Sequence, residues 1–282
     1  MAGPGATMGR PSTSTISFLH SDVLGGVTAV LGRGVTNRIQ RHVHRSHVLG
    51  IAGSAGRRLV MKDRCVDVEP GRVFSVNPGE PHICGSLSNE PQEYRVLCIP
   101  AKAMAELFSL PPGTNLPRFP HVLPQEVRPS LDKVLQGLET GDSLARIRQT
   151  MKMLGRDLLP FNTIRPCPGR EFIGHPAVRA VLAVIHGGFS RPLTLDDLAD
   201  RAGVSPRYLQ RVFRKETGIT PQERLTEVRV RQALALIDQG LPLIEAALEC
   251  GFCDQSHFSR ACKRVMGAPP GHLSRPKAAP EG

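Results

Sequence analysis

The 282-residue chain has no apolar run near the length that a bilayer-spanning helix needs, which excludes a helical membrane protein. No secretory signal precedes its cysteines. These number seven, an odd count that suits no closed disulfide framework, so the expected home is a reducing cytoplasm. Negative charge is also scarce, with 25 Asp and Glu against 36 Lys and Arg and a formal net charge of +11. A polyanionic partner fits that balance. Its distribution weakens the argument, because residues 171–282 hold 15 basic against 12 acidic side chains, and residues 1–170 carry the other +8. Contact with DNA must therefore rest on local placement, in Arg207, Arg211, Arg214 and Lys215 and in Arg260, Lys263 and Arg264.

What is present is one pattern used twice. The first copy runs from Leu193 to Pro221 and the second from Leu241 to Pro270, at an offset of 48 that becomes 49 after one extra residue in the second turn. In the first, Leu195, Leu198, Ala199 and Ala202 recur at helical spacing and predict a short helix with one apolar stripe. Gly203 follows, where a C-terminal cap needs a left-handed backbone. Val204 plugs the turn, Ser205 caps the next helix and Pro206 takes its first position. Leu209, Val212 and Phe213 then face inward, leaving Arg207, Gln210, Arg211 and Arg214 on the outer surface. The second copy puts Ala246, Ala247, Cys250, Gly251 and Phe252 in the matching places. Asp254 is its cap, Phe258, Ala261 and Cys262 face inward, and Gln255, Ser256, Ser259 and Arg260 face outward. Helix, glycine turn and a second helix with basic and amide side chains outward is the arrangement that enters a DNA major groove.

The segment GFCDQSHFSRACKRVMGAPP, with its paired copy, resembles the signature of the AraC/XylS family of transcription regulators over roughly the last hundred residues. Three positions depart from the family pattern. Arg224 stands where an aromatic is usual, Pro269-Pro270 replaces Thr-Pro, and Leu273 replaces another aromatic. The resemblance implies DNA contact through Arg207, Gln210, Arg211, Arg214, Gln255, Ser256, Ser259 and Arg260. It also implies homodimerisation, RNA polymerase as a partner, activation and no catalysis. His257 is expected to buttress its helix or meet phosphate. Cys250 and Cys253 form a CxxC, but Cys250 and Cys262 align with core positions, where free cysteine acts as a small hydrophobe.

Upstream, residues 1–14 are read as a disordered tail. Between Ile16 and Ile99, short β-like runs alternate with turn residues: Val27–Leu31, Val48–Ile51, Arg58–Met61, Cys65–Val68, Val73–Val76 and Tyr94–Ile99. Such spacing predicts an antiparallel sandwich or barrel. His42, His44 and His47 in RHVHRSHVLG and Asn77, Glu80 and His82 in NPGEPH resemble the cupin-like small-ligand barrel of many AraC-type regulators, and are the candidate effector-binding residues. A cupin metal site would pair this HxH and His82 with a carboxylate. That position is Leu49, and Glu80 could stand in only if the barrel brought it close, so no metal or other cofactor is expected, and the histidines are read as walls of an organic-ligand pocket. Arginines around the barrel (Arg38, Arg41, Arg45, Arg57, Arg58) hint at an anionic effector.

Leu131, Val134, Leu135 and Leu138 mark one helix. Leu144, Ile147, Met151, Leu154 and Leu158 mark a second, whose 3–4 spacing suits either a seam with another copy or packing on its own barrel. The expected organisation is a two-domain α+β chain: a tail (1–14), a cupin-like effector and dimerisation domain with a helical hairpin (15–160), a proline-rich linker (161–174), an all-α tandem helix-turn-helix domain (175–275) and a flexible tail (276–282). The expected function is a cytoplasmic, nucleoid-associated regulator of a double-stranded DNA operator, answering to a small-molecule effector. The alternative is a cupin-type metalloenzyme fused to a DNA-binding module.

Overall fold

The structure is a computed structural model that describes residues 15–35, 39–44, 46–61, 63–88, 90–111, 114–163, 175–266 and 268–274. The tails expected at 1–14 and 276–282, and most of the linker expected at 161–174, lie outside the described residues, as do Arg38 and Arg45.

The N-terminal half is built on strands β1 (Thr15–Ser21), β2 (Val27–Val35), β3 (Ile39–His42), β4 (His47–Ala52), β5 (Arg57–Val60), β6 (Cys65–Val68), β7 (Val73–Val76), β8 (His82–Gly85), β9 (Gln92–Ile99) and β10 (Val122–Leu123). A short strand, β11 (Leu273–Ser274), comes from the far end of the chain and pairs parallel with β1. Two sheets result, ordered β10-β7-β4-β9-β2-β1-β11 and β3-β8-β5-β6. The cupin-like layout expected from the sequence is present as an open pair of sheets. All strand pairs except β1–β11 are antiparallel.

Strand alternation decides what each face of the larger sheet does. Val48 and Ala52 of β4, with Tyr94 and Val96 of β9, join Leu59, Val68 and Cys84 of the smaller sheet in one core. Leu49, Ile51, Leu97 and Ile99, on the opposite face, pack under helices α1 (Ala101–Leu107), α2 (Arg128–Thr140) and α3 (Leu144–Leu158). The outer row of β4 is thus covered by the helical hairpin, and all six of its residues are buried.

That packing settles the use of the leucine seam. Ile147, Met151, Leu154 and Leu158 are at most 3% exposed within their own chain, while Leu144 is 58% exposed. The inward stripe is therefore spent on the sheet and offers nothing to a second copy.

The C-terminal half is helical: α4 (Pro176–Gly188), α5 (Leu195–Ala202), α6 (Pro206–Thr217), α7 (Pro221–Asp238), α8 (Leu243–Glu249) and α9 (Gln255–Met266). It has two cores, one holding Leu198, Leu209 and Phe213 and the other Ala246, Cys250, Phe258 and Cys262. Helix α7 contributes to both, with Leu225 and Val228 in the first and Val230, Ala233 and Ile237 in the second. At 18 residues it is about 27 Å long.

Candidate nucleic-acid interface and ligand pocket

Local chemistry sets both helix-turn-helix units. Thr194 and Asp197 form a reciprocal capping box at α5, satisfying two N-terminal N–H groups. Gly203 ends that helix at φ +66°, and the Ser205 hydroxyl accepts from the Tyr208 N–H at 3.3 Å to start α6. In the second unit Gly251 is at φ +81°, and the Asp254 carboxylate accepts from the His257 N–H at 2.6 Å. A Cβ on Gly251 would lie 2.6 Å from the Ser190 carbonyl oxygen, so close packing as well as the left-handed backbone calls for glycine there.

Both recognition faces are bare. Arg207, Gln210, Arg211 and Arg214 of α6 are exposed, as are Gln255, Ser256 and Arg260 of α9, and Ser259 is half-buried. The Arg211 guanidinium lies 5.2 Å from the Tyr208 ring centre, and the Tyr208 hydroxyl is 3.1 Å from His175 Nε2. The ring gives the guanidinium a stacking partner at the start of the helix. His257 is packed edge-on against Phe252 at 5.2 Å, a contact that supports its helix. Cys250 and Cys262 are buried, which pushes their thiols up to about 11 and about 12, whereas Cys253 is exposed.

Arg224, the departure from the family's aromatic, is also explained. It donates to Glu227 at 2.7 Å and lies 3.4 Å from His186 Nε2. Glu227 is only 4% exposed and takes a second cation, Arg231, at 3.1 Å. A buried carboxylate needs such partners. The pairing holds Arg231 where it enters a cavity of about 270 Å³ between the two halves.

That cavity is the candidate ligand pocket. Its apolar walls include Phe18, Val30, Phe74, Val76 and Tyr94, its polar wall is His42, His44, His82 and Cys84, and its far side is Arg231, Val265 and Met266 of the helical half. Residues 82 and 84 alternate onto the inner face of β8, and His42 on β3 pairs directly with His82. The Arg57 guanidinium also faces the pocket, 4.4 Å from the Tyr94 ring centre and 5.2 Å from that of Phe74. Arg57 is 4% exposed, and its Nε and Nη1 have no hydrogen-bond partner among the described residues. Burial opposes ionisation of the Cys84 thiol, but neighbouring Arg57 and His82 outweigh it and bring the thiol down to about 6. Burial, then the charges of His42 and His82, holds His44 well below the usual histidine range.

The structure separates the six candidate effector residues into two groups. His42, His44 and His82 meet in the pocket. The other three are turned elsewhere. His47 bonds the Pro117 carbonyl at 2.7 Å, and Asn77 accepts from the Phe119 N–H at 2.8 Å while donating to the Phe119 carbonyl at 3.0 Å. Glu80 pairs with Arg118. They pin the segment 117–121 across β7. The sequence reading missed Arg57 as a wall of the pocket, Cys84 and Arg231. The inward alternation of His82 and Cys84 in HICG is the signal that could have found Cys84.

Comparison with known proteins adds the family. The AraC-like ligand binding domain family matches residues 24–153, and a helix-turn-helix domain family matches residues 198–275. An uncharacterized HTH-type transcriptional regulator of Bacillus subtilis (strain 168), YbfI, is 27% identical over 236 residues, which are 80% of this chain and 83% of the relative. The HTH-type transcriptional activator RhaR of Enterobacter sp. (strain 638) is 23% identical over 258 residues, covering 87% and 90% of the two chains. Among solved structures, ToxT from Vibrio cholerae superposes with a TM-score of 0.59 at 15% identity, over 87% of this chain and 95% of the other, a likeness of fold.

Proposed function

The chain belongs to the AraC/XylS family of transcription regulators, and on that premise we propose that it is an operator-specific activator controlled by a small anionic effector held between its two halves. The observation that carries the DNA part is the pair of bare recognition faces at the two ends of one rigid helix, α7. Arg207, Gln210 and Arg211 take the base edges in one major-groove segment, where arginine suits guanine and glutamine adenine. Gln255, Ser256, Ser259 and Arg260 take the next segment, about 34 Å along the same face of the duplex. Arg214 serves phosphate.

The effector part rests on Arg57, a buried cation with unpaired donors at an apolar cavity, which favours a ligand with one anionic group on a hydrophobic body. Because Arg231, Val265 and Met266 line the same cavity, a ligand there touches both halves, and its affinity depends on how they are docked. That difference in affinity is what regulation requires. In this reading the chain works in the cytoplasm on the nucleoid as a homodimer, through a surface other than the inward seam of α3. It recruits RNA polymerase and catalyses nothing.

The test is a binding titration on an operator duplex selected from a random pool, at fixed salt, with wild type and Arg57→Met. Equal DNA affinity for both, with a small-molecule response only in wild type, supports the reading. Retention of the full response by Arg57→Met would overturn the anionic-effector assignment.

A further inference from the structure

The polar wall of the pocket has the donors of a metal site. His42, His82 and Cys84 each offer one ligand atom, and these atoms lie within 4.8 Å of one another. A fourth donor is at hand, since His44 Nε2 is 3.1 Å from His42 Nε2. We propose that His42, His44, His82 and Cys84 bind a zinc-class divalent transition-metal ion in the wall of this pocket.

Three features of the geometry support this assignment. The first is convergence. Cross-strand pairing of His42 with His82, the two-residue alternation from His82 to Cys84 on β8, and the turn of chain just after β3 that carries His44 bring the donors to one wall of the pocket. A tetrahedral ion with bonds of about 2.0–2.3 Å holds its donors roughly 3.3–3.8 Å apart, so side-chain movements of about an ångström bring His42, His82 and Cys84 onto it, and His44, already beside His42, closes the shell by a larger turn of its side chain. The second is orientation. His82 Nδ1 lies 2.8 Å from the Glu80 carbonyl oxygen, which can only accept, so Nδ1 carries the proton and Nε2 is left as the base. A ring N–H given to a backbone carbonyl is the usual outer support of a metal-binding histidine. The third is the donor set itself. Imidazole and thiolate without a carboxylate select zinc-class ions over magnesium, calcium or manganese.

The site differs from the cupin arrangement considered from the sequence. Leu49, at the position expected for the carboxylate, faces the helical hairpin on the other side of the sheet. Cys84 supplies the anionic ligand instead. The sulfur–metal bond forms from the thiolate, any proton the sulfur still carries passing to solvent.

The test uses the full chain. Purified protein, stripped of metal with a chelator, is titrated with Zn(II) against a chromophoric competitor, and separately with Co(II) while the absorbance spectrum is recorded. The expected result is about one ion per chain and a sulfur-to-cobalt charge-transfer band. Cys84→Ser should abolish that band and weaken Zn(II) binding by at least about tenfold, a loss no smaller than those seen for outer supporting residues. His42→Ala, on a partly exposed strand, should weaken binding comparably and gives the answer if Cys84→Ser does not fold. Cys253→Ser, at the exposed thiol of the CxxC, should change nothing. Absence of binding by wild type, unaltered affinity in both His42→Ala and Cys84→Ser, or loss of the band in Cys253→Ser would overturn the site. The inference rests on these side chains alone. A chain that binds no ion leaves the anionic-effector reading to its own Arg57→Met test.

Discussion

The two helix-turn-helix units share one plan and carry it out differently. The first has a capping box, a hydroxyl-capped recognition helix and an outward face of three arginines and a glutamine, with Arg211 stacked on Tyr208. The second starts α8 at Pro242 with no side-chain cap, and its outward face holds two serines, a glutamine and a single arginine. What the second has instead is attachment. Val265 and Met266 at the end of α9 line the ligand pocket, Ala268 is buried in the core between the two sheets, and Leu273 pairs with Ile16 in the larger sheet. The first copy thus carries the better-capped, arginine-rich face, while the second is the one tied to the N-terminal half.

The largest expected effects come from the separate cores. Phe213→Ala and Phe258→Ala each remove a fully buried ring and should cost about 3–5 kcal/mol. Hydrogen exchange should show the loss of protection confined to α5–α6 in one variant and to α8–α9 in the other. Equal deprotection of both units in either variant would mean that they fold as one block.

Next comes DNA. Arg211→Ala and Arg260→Ala should each weaken operator binding by about 1–3 kcal/mol if bidentate to a base, with the larger loss at the pre-stacked Arg211. Arg214→Ala should weaken all duplexes alike and lower the salt slope by about one. Anisotropy titrations at several salt concentrations check both.

A pH dependence sets the N-terminal half apart from both units. Burial, against the Pro117 hydrogen bond and with Arg118 nearby, lowers His47 to about 4. The unfolded chain therefore takes up this proton first as pH falls. His47's contribution is complete above about pH 6.5 and is lost progressively down to about pH 4, with a limit of about 3 kcal/mol. His47→Gln should flatten that part of the denaturation profile, and an unchanged profile would show that another group titrates.

The smallest effect is at the caps. Thr194→Ala should cost about 1 kcal/mol in the first unit, as should Asp254→Ala in the second. Thermal melts of the two variants against wild type measure it.

Much of this was legible in the sequence because the signals were local. Caps, glycine turns and 3.6-residue stripes specify the helical units, and Gly203, Ser205 and Asp254 sit where the spacing predicts. The sheet half was harder. Strand β8 is four residues long and follows a proline-glycine turn, so NPGEPH reads as a loop that ends before Cys84. His47 was grouped with His42 and His44 by nearness, although it begins a separate strand, where its neighbour Val48 takes the pocket face and His47 turns to Phe119. The α3 stripe has the same spacing whether it is covered by its own sheet or by a partner, so sequence alone left that open. Arg231 and Arg57 come together only through the docking of distant elements.

The unequal division between the two units is tested most directly by selecting duplexes from a random pool with wild type, Arg211→Ala and Arg260→Ala. Wild type should enrich two sequence elements about 10 base pairs apart, one more sharply defined than the other. Arg211→Ala should erase base preferences in the sharper element, while Arg260→Ala lowers recovery and alters only the weaker one. A single element, or two elements degraded equally by either substitution, would contradict the account.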